Sequence, residues 1–139
     1  MSSEAILLGS LVASFEHGLL LIEDSKSSAS HEDWDAATEY VHFDDDSLYV
    51  AVQSVVDGLV SVTVYRDGVP SGAVEGFVEV FSGEFQCRSR RICVRDSDDN
   101  ALLSIAAPGG DLIRLHVFAD AWNWATRVVV GLEQLNHRK

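Results

Sequence analysis

Residues 57–68 read Asp-Gly-Leu-Val-Ser-Val-Thr-Val-Tyr-Arg-Asp-Gly, and this stretch decides the fold. Val60, Val62 and Val64 alternate with Ser61, Thr63 and Tyr65, the period-two pattern of a strand with one face buried and one face wet. Asp57-Gly58 and Asp67-Gly68 bracket it, and both dipeptides favour the positive φ of tight turns. Outward from it the pattern recurs. Leu48, Val50 and Val52 precede it; Phe77, Glu79 and Phe81 alternate with Val78 and Val80; Ile113, Leu115 and Val117 alternate with Arg114 and His116; Val128, Val130 and Leu132 form a last strand. Leu19-Leu20-Leu21-Ile22 follows the turn residues His17-Gly18 and reads as a buried strand. Asp98-Asp99-Asn100 and Pro108-Gly109-Gly110-Asp111 are further turn signals. Short strands at this spacing predict an all-β fold, a two-sheet antiparallel β-sandwich of about 7–9 strands, forming a single domain over residues 1–139. Val60, Val62, Val64, Ile113, Leu115 and Val117 are expected to face the shared core. One segment departs from the pattern: Ser30 stands three residues before Asp33, and 34–41 has the makings of one or two helical turns, packed through Trp34.

The 139 residues carry a net charge of −12, unevenly spread. Residues 1–60 hold twelve acidic side chains and one basic one, Lys26, whereas residues 61–139 hold ten acidic and nine basic. An anionic half repels phosphate, which argues against direct binding of nucleic acid or an anionic membrane and suits a basic partner or a cation. Plain solubility is the competing explanation. Only Glu4 is charged ahead of the apolar run Ala5-Ile6-Leu7-Leu8, so the basic leader of a signal peptide is missing, and a cytoplasmic protein that does not enter the membrane is expected. Cys87 and Cys93 are the only cysteines. On one extended strand they would lie roughly 20 Å apart, and they would meet only if the chain reverses at Arg88-Ser89-Arg90, so free thiols are expected.

No catalytic constellation emerges. Asp96, Asp98 and Asn100 have the opening spacing of an EF-hand, but Ala101 stands where glycine is required and Ala107 where a bidentate glutamate is required. A calcium-binding sandwich of the C2 type would instead gather Asp44, Asp45, Asp46, Asp96, Asp98 and Asp99 at one edge. His17, His31, His42, His116 and His137 show no metal-ligand spacing, so no zinc, other metal or cofactor is expected. No nucleophile elbow or phosphate-binding glycine loop is present. Arg88, Arg90, Arg91 and Arg95 form the one basic cluster, expected to pair with carboxylates of the chain. Trp122-Asn123-Trp124 is expected to cover a sandwich edge, with an aromatic contact site as the alternative.

The run from Ser10 to Asp24 resembles the paired opening strands of the competence protein J family of bacterial DNA-entry nuclease inhibitors. Asp33-Trp34 is similar to that family's Asp-Trp, and the segment Leu103 to Asp111 is similar to its strand leading into Pro-x-Gly-Asp. The resemblance implies a cytosolic β-sandwich inhibitor whose partner is a nuclease. Independently, clustered carboxylates suit a basic partner, because complementary charge speeds association. The expected function is therefore that of an acidic, non-enzymatic binding module of the inhibitor or immunity type, with Asp44, Asp45, Asp46 and Asp57 as contacts and Glu32, Asp33 and Asp35 next. The rivals are the calcium module, a small cysteine or histidine enzyme, and an assembly subunit without catalysis.

Overall fold

A strand with one buried face must present alternate residues to a core, and the chain does so repeatedly. The computed structural model describes residues 5–28, 39–53, 56–96, 102–109 and 111–135. Its strands are β1 (Ile6–Ala13), β2 (Leu19–Asp24), β3 (Val41–Asp44), β4 (Ser47–Ala51), β5 (Val60–Arg66), β6 (Val78–Gln86), β7 (Arg91–Asp96), β8 (Leu102–Ala106), β9 (Leu112–Ala119) and β10 (Arg127–Gln134). They form two five-stranded sheets, ordered β1-β5-β10-β9-β6 and β3-β4-β2-β7-β8. The architecture is the expected β-sandwich, with ten strands where about seven to nine were expected. Two short 3-10 turns, Glu16–Gly18 and Ser71–Val74, are the helical elements among the described residues. The helical turn expected over 34–41 lies mostly outside the described residues, and its last residue, Val41, opens β3 instead. No helix among the described residues is long and apolar enough to cross a membrane.

One pairing departs from the antiparallel expectation. β10 pairs antiparallel with β9 but parallel with β5. The loop after β9 returns β10 into the slot between β9 and β5, and its direction there follows from the β9 hairpin. At the centre of its sheet, β10 is buried from Val128 to Leu132 without interruption. β2 holds the same central place in the other sheet and is likewise buried from Leu20 to Asp24.

The strands with one wet face alternate as read. Val60, Val62, Val64, Ile113, Leu115 and Val117 are all buried in one cluster with Leu20, Ile22, Leu48, Phe85, Ile92 and Val94. Each such aliphatic side chain contributes on the order of 2 kcal/mol by leaving water. In β6 a bulge between Glu79 and Phe81 shifts the register. It turns both Val80 and Phe81 toward the core, where Phe81 meets Phe43 at 5.0 Å between ring centroids.

Candidate partner-binding surfaces

The acidic run Asp44-Asp45-Asp46 forms the tip of the β3–β4 hairpin. The turn is tight: the amide of Asp46 donates to the carbonyl of Asp44, and Asp45 takes a φ of 56°. Aspartate tolerates this left-handed conformation better than most residues. Two other segments clamp the tip. The amide of Asp24, at the end of β2, donates to the Asp46 carbonyl (2.9 Å), and the Ser27 hydroxyl donates to Asp46 Oδ1 (2.7 Å). From the β6–β7 turn, Gln86 N donates to the Asp45 carbonyl (3.2 Å), while Arg88 Nη1 lies 3.3 Å from Asp45 Oδ2 and 4.0 Å from Asp46 Oδ2.

Asp24 fixes the other side of this arrangement. Its buried carboxylate accepts from the Ser89 amide (3.0 Å), the Ser89 hydroxyl (2.6 Å) and the Lys26 amide (3.2 Å). Burial alone would raise its pKa; the bonds from Ser89, Cys87 and Lys26 outweigh burial and hold it below the usual 3.8. Of the basic cluster, Arg88 thus folds against the acidic run as expected, whereas Arg91 bonds Ser104 instead (3.0 Å). Arg95 is spent elsewhere, on Glu23, at 2.7 Å.

Asp57 does not join this group. β4 runs antiparallel to β2, with Ser47 opposite Glu23 and Ala51 opposite Leu19, so the residues before and after β4 lie at opposite ends of the sheet. The register treats Asp96 in the same way: it pairs with Leu20, whereas Asp24 pairs with Ile92. Four residues at about 3.3 Å each separate Asp96 from the Asp24 end. The calcium arrangement that needed Asp96 beside Asp44–Asp46 is therefore overturned, and among the described residues no cluster of metal-ligating side chains forms. Asp98 and Asp99, together with Glu32, Asp33, Asp35, His31 and His137, lie outside the described residues.

The end that holds Asp57 has a different character. The loop Asp120–Thr126 lies beside the β4–β5 connection, joined by a bridge between Val52 and Ala125, by Gln53 N donating to the Ala125 carbonyl (2.9 Å), and by Ser61 N donating to the Thr126 carbonyl (2.9 Å). The Asp120 carboxylate braces the loop by accepting from the amides of Thr126 and Arg127 and from the Thr126 hydroxyl. Burial works to raise its pKa, but these bonds leave it lowered. Ala125 is the residue that this loop buries, and the two indoles stay out: Trp122 is 50% and Trp124 56% exposed. The expectation that an indole covers the sandwich edge is thereby corrected. Trp124 takes a left-handed φ of 60°, and the small Ala125 after it is fully buried. Val56 and Leu59 are exposed alongside.

The two cysteines and His116 are each held by their neighbours. Cys87 is buried, and its burial, its bond to the Asp24 carboxylate and the charge of that carboxylate push the thiol up to about 12. Burial, then the charge of Glu23, also raises Cys93. Neither favours the thiolate that a nucleophile needs. The chain does reverse at Arg88–Arg90, yet both cysteines are free: Cys87 is in the core, and Cys93 is on the outward phase of β7, between buried Ile92 and Val94. His116 lies between Glu79 (2.9 Å) and Glu133 (3.2 Å) on the outer face of its sheet. Ser82 Oγ stands 3.3 Å from the same Nδ1 that Glu79 contacts more closely, so the carboxylate has first claim on that nitrogen.

No protein-family model and no curated protein matches this chain. A solved structure does: the crystal structure of ComJ, inhibitor of the DNA degrading activity of NucA, from Bacillus subtilis. The two superpose with a TM-score of 0.73 at 12% identity, over 96% of this chain and 100% of that one. The likeness suggested by the opening strands and the Pro-x-Gly-Asp turn is thus a likeness of the whole fold, and this chain has the β-sandwich of ComJ.

Proposed function

We propose that this chain, acting as a single β-sandwich domain, is an inhibitor-type binding protein whose partner is a basic protein, a DNA-degrading nuclease, and that it blocks this partner by contact alone. The observation that carries the proposal is the fold shared with an inhibitor of nuclease activity over 96% of the chain. A nuclease cleft is basic because it holds phosphate, and carboxylates compete for such a cleft. Asp44 and Asp45 stand exposed at a hairpin tip braced by Asp24 and Ser27. The Arg88–Asp45 pair is itself exposed, and such pairs are worth about 0–1 kcal/mol, so a partner's guanidinium displaces Arg88 at little cost. Asp46, which the Ser27 hydroxyl engages, keeps the tip in shape. Glu32, Asp33 and Asp35 are proposed as further contacts. The setting is the cytoplasm, where both thiols stay reduced.

Asp57 belongs to a second contact, at the far end, with Val56, Leu59, Trp122 and Trp124 around it. Exposed tryptophans of this kind are favoured as binding hot spots. A flat interface takes one end of the sandwich and not both. The test is degradation of DNA by purified NucA with this chain added in increasing ratio. Inhibition that saturates near one copy per nuclease is expected. Asp44→Asn with Asp45→Asn, set against Trp122→Ala with Trp124→Ala, identifies the end that binds. DNA degradation that continues undiminished in excess chain sinks the proposal.

A further inference from the structure

The four sheet edges of this sandwich are unequally protected. An edge strand presents unpaired N–H and C=O groups, and natural proteins blunt such edges with charge, bulges or brevity. β3 is four residues long and runs into the acidic turn. β6 carries Glu79 and Glu84 and a bulge at its centre line of approach, between Glu79 and Phe81. β8 has five residues. β1 is eight residues long, Ile-Leu-Leu-Gly-Ser-Leu-Val-Ala, with neither charge nor proline, and its one irregularity, between Leu7 and Gly9, lies near its start and leaves Ser10 to Ala13 in regular register. Among the described residues it pairs with β5 and no other strand, and Leu7 and Val12 are 58% and 63% exposed.

The register shows which side chains this edge displays. Leu7, Ser10 and Val12 oppose Tyr65, Thr63 and Ser61 on the outer face, while Gly9, Leu11 and Ala13 oppose Val64, Val62 and Val60 over the core. The irregularity between Leu7 and Gly9 absorbs one residue. Leu7 therefore stands one outer-face step from Ser10, the same step that separates Ser10 from Val12. The outer face reads Leu, Ser, Val, symmetric in character about Ser10. An identical strand laid antiparallel on the free edge, with a two-fold axis at Ser10, sets Leu7 of each copy against Val12 of the other and Ser10 against itself. A chain of net charge −12 repels its own copies, and this edge lets two of them meet with no carboxylate opposite a carboxylate.

We propose that β1 is a self-association edge, on which a second copy of this chain pairs antiparallel about a two-fold axis at Ser10, joining two five-stranded sheets into one of ten strands. The pairing does not depend on the inhibitor function, and because β1 lies along the side of the sandwich it leaves both loop ends open to a partner. Sedimentation velocity of the full chain from micromolar to submillimolar concentration is expected to approach twice 15.2 kDa. Ser10→Asp sets two carboxylates face to face and is expected to weaken the dimer about fivefold or more, as is Ser10→Lys. Mixing the two variants restores it, because the opposed charges then differ. Under mild oxidation Ser10→Cys gives a covalent dimer, with the bond mapped between the two copies of position 10. Wild-type chain that keeps its monomer mass throughout overturns the proposal, whether the edge is idle or reserved for another protein's strand. A dimer indifferent to Ser10→Asp, unrestored on mixing, or uncrosslinked in Ser10→Cys overturns it too, since its interface lies elsewhere.

Discussion

Asp24 ties two loops together with one carboxylate, and replacing it measures how much that end of the sandwich depends on a single charge. Asp24→Ala removes the acceptor of the bonds from Ser89 N, Ser89 Oγ and Lys26 N. A hydrogen bond to a charged group contributes about 1.5–3 kcal/mol, which as a simple sum would exceed 4 kcal/mol. Two features reduce it. Lys26 is exposed, so its amide returns to water, and the Ser89 hydroxyl keeps the Arg91 carbonyl at 3.2 Å and Ser25 Oγ at 2.7 Å. The expected loss is about 2–4 kcal/mol for Asp24→Ala, and about 1–2 kcal/mol for Asp24→Asn, which retains an oxygen for Ser89. For a domain stable by about 5–15 kcal/mol either loss is readily seen. Because the folded pKa of Asp24 lies below 3.8, its contribution is complete above the unfolded value and is lost as pH falls through the folded one. Urea denaturation of wild type and Asp24→Asn near neutral pH and near pH 3 tests this, and the stability gap should close in acid. Asp120, also lowered, is present in both proteins and drops out of the difference. A gap below about 0.5 kcal/mol at neutral pH, or one unchanged in acid, refutes the role given to the carboxylate.

Further outcomes follow from the same geometry. Val62 is fully buried between β1 and β10, so Val62→Asp should abolish folding by burying an unpaired charge; a soluble variant with a cooperative melt would contradict the burial of that face. Alkylation of the unfolded protein without reductant should label both Cys87 and Cys93, and mass measurement showing neither labelled would overturn their assignment as free thiols. Asp44→Asn with Asp45→Asn should leave stability nearly unchanged and slow association with a basic nuclease, most at low salt; equal rates for both proteins at two salt concentrations would remove the hairpin tip from the interface.

The alternation of Val60, Val62 and Val64, and of Ile113, Leu115 and Val117, was legible because a half-buried strand writes its burial directly into sequence. The same signal ran through Arg91–Asp96, where Ile92 and Val94 alternate with Arg91, Cys93 and Arg95, but the arginines drew the reading toward charge and away from a strand. The parallel pairing of β5 with β10 was not legible, because it joins residues more than sixty positions apart and no local pattern records a neighbour's direction.

The candidate site shows the same division between local and distant terms. That Asp44, Asp45 and Asp46 form a turn is local, and the sequence carries it. That Arg88 neutralises part of that turn depends on the β3–β4 hairpin meeting, at one end, the turn that carries the chain from β6 in one sheet to β7 in the other, forty-three residues away. The separation of Asp57 from the turn was recoverable: a strand through Leu48 and Val50 stands between them, and any single strand sends what precedes and follows it to opposite ends of a sheet. Net charge hides this. A chain can be strongly acidic and still set a guanidinium against a run of its carboxylates, as Arg88 is set against Asp45 and Asp46, so the sign of a run of residues does not fix the field around it. For the proposed partner, what counts is which pairs are weak enough to exchange. Arg88 and Asp45, both more than half exposed, form such a pair, whereas Ser27 on Asp46 and Ser89 on Asp24 would hold the tip in place during an exchange.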